Sequence, residues 1–364
     1  MDIKAAVTYE KSASFKIDQI QIDDPKDNEV LVRIAGSGIC HTDLAAREQF
    51  LPFPLPAVLG HEGAGIVEKV GKNVKKVKPG DHVAMSWDCC HTCPSCRSGM
   101  DTYCHSFLPI NFGGVRSDGS TTLKKGSQNI HGSFFCQSAF ATYALANETS
   151  VVKVRKDVPI ELLAPLGCGI QTGVGAIFNA LKPKPGSSIA IFGTGTVGMS
   201  AILGAAIAGC TKIIAIDLVS DRLELAKELG ATHTVNPKDG NPVDAIMDIT
   251  GTGANFTLEC VGNPDVLRQA TDSLGLMGVC GQVGAVAPGT QVTLNMDLIM
   301  NGRTVRGIIE GDSVPELFIP VLIDLYAQGK LPYDRFVKYY SFDDINKAVE
   351  DMEKGIAIKP ILKP

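Results

Sequence analysis

Residues 188–217 read SIAIFGTGTVGMSAILGAAIAGCTKIIAID, and this stretch decides the fold. An apolar run of strand length, Ser188–Phe192, enters Gly193-Thr194-Gly195-Thr196-Val197-Gly198 directly. A helical stretch, Thr196–Ala208, follows and gives way to a second apolar run, Lys212–Asp217. G-x-G-x-x-G recurs by chance, but at a strand-to-helix turn each glycine has its own steric reason. Gly193 permits the tight turn, Gly195 lets the backbone approach a pyrophosphate, and Gly198 lets the helix sit close to the strand, while the helix N-terminus offers N–H groups to the anion. Gly193, Gly195, Val197 and Gly198 are therefore expected to hold a dinucleotide. Asp217 ends the next strand, where a carboxylate accepts from both adenosine ribose hydroxyls and repels a 2′-phosphate, which favours NAD over NADP.

The pattern continues outward. A helix is predicted over Asp221–Leu229, with Ser220 or Asp221 as cap, Gly230 as terminator and Leu223, Ala226 and Leu229 on one face. The β-rich runs Gly278–Val286 and Thr304–Ile309 extend the series. Strands alternating with helices in this way predict an α/β unit with a doubly wound parallel sheet. Residues 1–110 have another texture: short β segments (Glu29–Ile34, Gly65–Val70, His82–Met85) punctuated by Gly and Pro. After residue 310 come a predicted helix, Val314–Gln328, then Phe342–Lys354 and a short tail, Ile358–Leu362. A chain of 364 residues suits about two domains.

Composition narrows the function. Formal charge is −5 with scattered basic residues, so no footprint for nucleic acid is present. No apolar run reaches the ~18–20 residues of a membrane span. The opening MDIKAAVTYEKSASFKIDQI has no continuous apolar core or small-residue cleavage site, which predicts a cytoplasmic protein. Five of eleven cysteines fall between Cys89 and Cys104. In a reducing compartment that crowding points to metal and away from disulfides. Cys90, Cys93, Cys96 and Cys104 form C-x2-C-x2-C-x7-C, which wraps four thiolates around one tetrahedral Zn²⁺, whereas an iron–sulfur cluster expects its fourth cysteine at another spacing. A closed Cys₄ site has no open position, so its role is structural. Cys89 is left over.

Three further residues stand apart: Cys40 in GICHTD, His61 in GHEGAG and Cys168 in PLGCGI. A Cys₂His set with an open fourth position is the ligand set of a zinc that polarises an alcohol oxygen. Glycines 60, 63, 65 and 71 crowd around His61-Glu62 in GHEGAGIVEKVGKNV. This segment, with the cysteine knuckle, resembles the zinc-containing medium-chain alcohol dehydrogenases over essentially the whole chain. CHTDLAAREQF, FFCQSAFATYAL, VPIELLAPLGCGIQTG and RLELAKELGATH are most similar to the aryl-alcohol (benzyl alcohol) dehydrogenases.

The resemblance implies a β-rich GroES-like catalytic domain (1–169 and 310–364) interrupted by an NAD-binding Rossmann domain (170–309). It implies two zinc ions per subunit: Cys40, His61 and Cys168 as catalytic ligands, and the four-cysteine knuckle as the structural site. Glu62 becomes the acidic neighbour of the metal and Asp43 the carboxylate orienting the His61 ring. Thr42 takes the hydroxyl relay position, unless it caps a helix. Some members finish that relay with a histidine where this chain has Ala45, which leaves the terminal base unassigned; His41 is a candidate only if the coenzyme phosphates do not take it up. His41 and Lys359 are implied at the coenzyme phosphates and Arg222 at the adenosine ribose. Trp87, Phe134, Phe135, Phe140 and Tyr143 would flank an alcohol channel suited to a flat ring. The expected activity is reversible hydride transfer from a primary benzyl-type alcohol to NAD by a homodimer or homotetramer. Terpenoid allylic alcohols are an alternative, and so is a glutathione adduct of formaldehyde, which would need a cationic subsite for which Arg116 is the candidate. A non-catalytic NAD-binding protein would have lost Cys40, His61, Cys168 or Thr42, and all four are present.

Overall fold

A computed structural model describes the whole chain, Met1–Pro364, which divides into two units. One comprises Met1–Cys168, Val314–Ala327 and Asp334–Pro364; the other comprises Gly169–Ser313 and Gln328–Tyr333.

The second unit carries a six-stranded sheet in the spatial order His233–Val235, Lys212–Ile216, Ser188–Phe192, Ala254–Glu259, Leu274–Gln282 and Thr304–Gly307. All neighbouring pairs are parallel. Ser188–Phe192 is buried along its whole length. That is why it reads as a continuous apolar run: a central parallel strand has both faces covered. Its core includes Ala190, Phe192, Ile214, Ile216, Ile246 and Leu274. The order reverses at Ser188–Phe192, whose neighbours are the next strand in sequence on one side and Ala254–Glu259 on the other. Such a switch point opens a ligand crevice at the strands' carboxyl ends.

Several element boundaries differ from expectation. The helix predicted from Asp221 runs Ser220–Glu228, and its N-cap is Val219 with no side-chain cap. Neither Ser220 nor Asp221 caps, because the helix starts a residue earlier than expected and both lie inside it; Asp217 Oδ1 accepts from the Val219 N–H at 2.9 Å and organises the turn before it. The strand expected over Gly278–Val286 is Leu274–Gln282, its start set by the pairing of Leu274 with Ala254. His233–Val235 and Ala254–Glu259 were not anticipated. Asn241 and Asn263 cap the helices that begin at Pro242 and Pro264.

The first unit holds a five-stranded sheet and a seven-stranded, largely antiparallel one. In the larger sheet Glu29–Gly38 is central, pairing with Glu62–Val70, Tyr143–Asn147 and the C-terminal Lys359–Lys363. The C-terminal tail thus returns to the N-terminal unit, as does the helix Pro315–Ala327. Gly169, residues 310–313 and Gln328–Tyr333 depart from the expected division, since they belong with the parallel-sheet unit.

Candidate active site

Cys40 stands two residues beyond the strand Glu29–Gly38 and is the N-cap of the short helix His41–Arg47. Asp43, in the first turn of that helix, is fully buried. Its Oδ2 accepts from the Cys40 N–H at 2.8 Å, and its Oδ1 accepts from the Gly60 N–H at 3.1 Å and lies 2.7 Å from His61 Nδ1. One carboxylate therefore braces two residues that are distant in sequence. Gly60 has φ +92°, and a Cβ there would stand 2.5 Å from Phe140 N, so only glycine fits. Cys168 follows the helical run Ile160–Gly167.

These elements bring Cys40, His61, Glu62 and Cys168 together, one ligand atom from each lying within 4.8 Å of the others. For His61 the remaining nitrogen is Nε2, which is buried and makes no hydrogen bond. A buried unpartnered imidazole nitrogen beside two soft sulfurs fits Zn²⁺ bound as Cys₂His. The electrostatics agree. Cys168 holds the Cys40 thiol well below its ordinary value, against the effect of burial, and His61 adds to this. Burial opposes charge on the imidazole, but Asp43 and Cys40 hold it well above the usual histidine value. The group thus favours a cation among its thiols.

Glu62 and Lys359 form a buried ion pair, with Nζ 2.7 and 3.0 Å from the carboxylate oxygens and 2.9 Å from the Ile39 carbonyl. Burial raises the Glu62 carboxyl against the pull of Lys359, and Glu62 raises the ammonium against burial. Lys359, expected at a coenzyme phosphate, is engaged with these groups in the structure. Its ammonium has three protons and three short acceptors, with 1% exposure, so it is the counter-ion of Glu62.

Cys90, Cys93, Cys96 and Cys104 also cluster within 4.8 Å. The Sγ atoms of Cys90 and Cys93 lie 3.9 and 3.5 Å from that of Cys96. Zinc with four thiolates at about 2.3 Å sets tetrahedral edges of about 3.8 Å. Backbone N–H groups of Cys93 and Cys90 point at the sulfurs of Cys90 and Cys104, each at 3.3 Å. The N–H groups of Thr92 and Cys93 bring the Cys90 thiol down to about 5, whereas burial and the neighbouring thiols push Cys96 up. Four thiols this close ionise together only around a cation. Cys89 stays outside the four, 3.4 Å from His91 Nδ1, and burial pushes its thiol up to about 11.

In the parallel-sheet unit the three glycines have the steric situations the motif requires. Gly193 has φ +89°; a Cβ on Gly198 would stand 1.9 Å from Gly193 O; a Cβ on Gly195 would meet nothing within 4 Å, leaving its backbone open to a ligand. Gly195 is the N-cap of the helix Thr196–Ile207, with Val197 in its first turn. Asp217 Oδ2 accepts from the Thr194 N–H at 2.7 Å and from its hydroxyl at 2.8 Å. Thr194 was missed in the sequence; a hydroxyl residue between the glycines was the available signal. Arg222 lies in the helix Ser220–Glu228, its Nε buried and without a hydrogen-bond partner.

Thr42 does not cap: it is the second residue of the helix His41–Arg47, where Cys40 and Asp43 form the capping box, and its hydroxyl lies 3.8 Å from Cys40 Sγ. His41 is the first residue of this helix and is exposed. Around His61, Phe135 stacks on the imidazole at 4.6 Å and Phe134 meets it edge-on at 5.6 Å. Phe107, Phe112 and Trp87 continue the cluster. Phe140 packs on Phe15 in the core instead, and Tyr143 lies in a strand against the same core. Arg116 is only 6% exposed and is paired with Glu29 and Asp23, so it offers no cationic subsite.

Comparison with known proteins agrees with this geometry. Residues 26–156 match the alcohol dehydrogenase GroES-like domain and residues 196–328 the zinc-binding dehydrogenase domain. The chain belongs to the zinc-binding medium-chain alcohol dehydrogenase family, whose cofactors are zinc and NAD. It is 46% identical to geraniol dehydrogenase of Castellaniella defragrans, over 99% of this chain and 97% of that protein. The crystal structure of benzyl alcohol dehydrogenase from Acinetobacter calcoaceticus superposes with a TM-score of 0.97 at 50% identity, covering 100% of this chain and 99% of the other. A zinc-binding-domain alcohol dehydrogenase from Burkholderia ambifaria gives 0.98 at 51% identity, with the same coverage.

Proposed function

We propose that this alcohol dehydrogenase oxidises primary alcohols whose carbinol carbon is attached to an unsaturated carbon, benzyl-type alcohols first, to the aldehyde with NAD, and runs the reaction in reverse. The observation that carries the reading is the layer of aromatic rings beside the ligand His61, with Phe134 and Phe135 against the imidazole and Phe107 and Phe112 packed on Phe135. Such a wall favours flat apolar groups. A terpenoid allylic alcohol is the second reading, supported by the relative named geraniol dehydrogenase. The glutathione adduct has less support, because the Arg116 guanidinium is already paired with Glu29 and Asp23.

Cys40, His61 and Cys168 would hold one zinc, and Cys90, Cys93, Cys96 and Cys104 the other. When bound, zinc supplies Lewis acidity toward the alcohol oxygen and NAD accepts the hydride. Asp43 fixes the His61 tautomer by keeping a proton on Nδ1. Thr42 Oγ1, beside Cys40, takes the alcohol's proton and passes it on. Ala45 cannot extend that path, and the exposed His41 imidazole is the exit to solvent. The glycine turn Gly193–Gly198 receives the pyrophosphate, and Asp217 with Arg222 the adenosine ribose. A homodimer or homotetramer in the cytoplasm belongs to the same reading; no single helix is long and apolar enough to cross a membrane.

The test is NADH formation across a panel of benzyl alcohol, geraniol, ethanol, and formaldehyde with glutathione. Benzyl alcohol is expected to exceed ethanol in kcat/KM by roughly 100-fold, the discrimination expected from an apolar pocket. Parity with ethanol, or preference for formaldehyde with glutathione, overturns the substrate class.

A further inference from the structure

The segment Ser133–Ser138 holds four non-glycine residues in the left-handed region: Ser133 at φ 58°, Phe135 at 49°, Cys136 at 56° and Ser138 at 56°. L-residues adopt this backbone only where surrounding contacts over-determine it. Here the contacts converge on two metal ligands. Ser138 Oγ accepts from the Phe134 N–H at 3.0 Å and donates to Val58 O at 2.7 Å, which folds the segment back and anchors it. Gln137, 1% exposed, accepts from the Gly63 N–H at 2.9 Å and donates through Nε2 to His61 O at 2.8 Å and Ser86 O at 3.4 Å. Ser86 Oγ donates in turn to the carbonyl of Gly167, at 2.6 Å, the residue before Cys168. Gly63 leaves room for the amide, because a Cβ there would stand 3.0 Å from Gln137 Oε1 and 2.3 Å from Met85 Cε.

We infer that Gln137 is a positioning residue for the dispersed zinc site, tying the main chain of His61 to Ser86 and, through Ser86, to the residue that carries Cys168. Asp43 joins Cys40 to His61, and Gln137 joins His61 to the Cys168 side. Three buried polar side chains, Asp43, Gln137 and Ser86, thereby link three ligands that are far apart in sequence. The bent backbone flanking Gln137 sets Phe135 against the imidazole, so the ring and the main chain of His61 are held by one segment. The inference deepens the zinc reading of the site and rests on it.

The test compares the zinc-loaded parent with Gln137→Glu, which keeps the acceptor for Gly63 but puts a carboxylate oxygen against two carbonyls, and with Ser86→Ala, which removes the hydroxyl that bonds Gly167. On challenge with dipicolinate, Gln137→Glu is expected to lose the dispersed-site zinc at least 10-fold faster than the parent, within the range seen for groups that orient metal ligands. Knuckle zinc is expected to leave at the parent's rate, and Ser86→Ala to show the same selective loss to a smaller degree. After cobalt substitution, the visible absorption of the dispersed site is expected to shift in Gln137→Glu. Parental release rates with an unchanged cobalt spectrum overturn the inference. Insolubility of both variants overturns it too, since the network would then hold the fold and not the ligands. A parent chain with zinc in the knuckle alone is a different result, which refutes the dispersed zinc site itself.

Discussion

Replacing Lys359 with Met separates two roles for one buried ammonium. In the structure it contacts both oxygens of Glu62, at 2.7 and 3.0 Å, and the Ile39 carbonyl, and neither charged side chain is more than 1% exposed. Removing one member of such a pair leaves an uncompensated buried charge, which costs about 3–5 kcal/mol, whereas removing both charges is close to neutral. At about 2–4 °C per kcal/mol for a unit of roughly 200 residues, Lys359→Met is expected to lower Tm by about 6–20 °C. Adding Glu62→Gln is expected to restore most of that loss. Calorimetry of the parent, both single variants and the double variant measures the cycle, and fluorescence titration with NAD runs beside it. A lysine that served only a coenzyme phosphate would instead weaken NAD binding and leave Tm unchanged. A Lys359→Met protein melting within about 2 °C of the parent, on the same scale, or a double variant no more stable than the single, refutes the ion-pair assignment.

Other perturbations follow from the same geometry. Asp43→Asn puts an amide N–H₂ against either the Cys40 or the Gly60 and His61 donors; zinc affinity at the dispersed site is expected to fall 10–100-fold, read by chelator competition. Cys93→Ala removes one edge of the knuckle, so metal analysis is expected to show one zinc fewer per chain together with poorer solubility. Asp217→Gly deletes the acceptor for both Thr194 and a ribose; the ratio of kcat/KM for NAD over NADP is expected to drop at least 10-fold, the scale of one charge-assisted hydrogen bond. The Asp351 carboxyl is held down at about 2 by Lys347 and Tyr340. Its stabilising effect is therefore complete above the ordinary carboxylate value of about 4 and is lost as pH falls through about 2. The stability gap between the parent and Asp351→Asn is expected to close over that interval in acid titrations followed by circular dichroism.

What was legible in the sequence was local. The glycine turn at 193–198 and the knuckle at 90–104 declare themselves because ligand geometry is encoded within a few residues of spacing. The GHEGAG segment pointed to His61 because glycine density marks places of close backbone approach, and Gly60 bears this out. The long-range pairings were opaque. Nothing near Lys359 in sequence announces Glu62, 297 residues away, and a lysine near a strand reads as solvated charge until a second strand covers it. Gln137 was hidden for another reason: its neighbours adopt left-handed backbone without glycine, so the bend has no compositional sign. The helix at Ser220 was placed within a residue, yet its cap was misread: the N-cap is Val219, an apolar residue whose own N–H bonds to Asp217, and no side chain caps the helix.

The double use of Asp217 has a consequence for coenzyme engineering. Because the same carboxylate oxygen receives the Thr194 amide and hydroxyl, changing it to admit a phosphorylated ribose also loosens the turn beneath the pyrophosphate. A lineage selected in the laboratory for the phosphorylated coenzyme is therefore expected to fix paired changes at positions 194 and 217, with either change alone a step downhill.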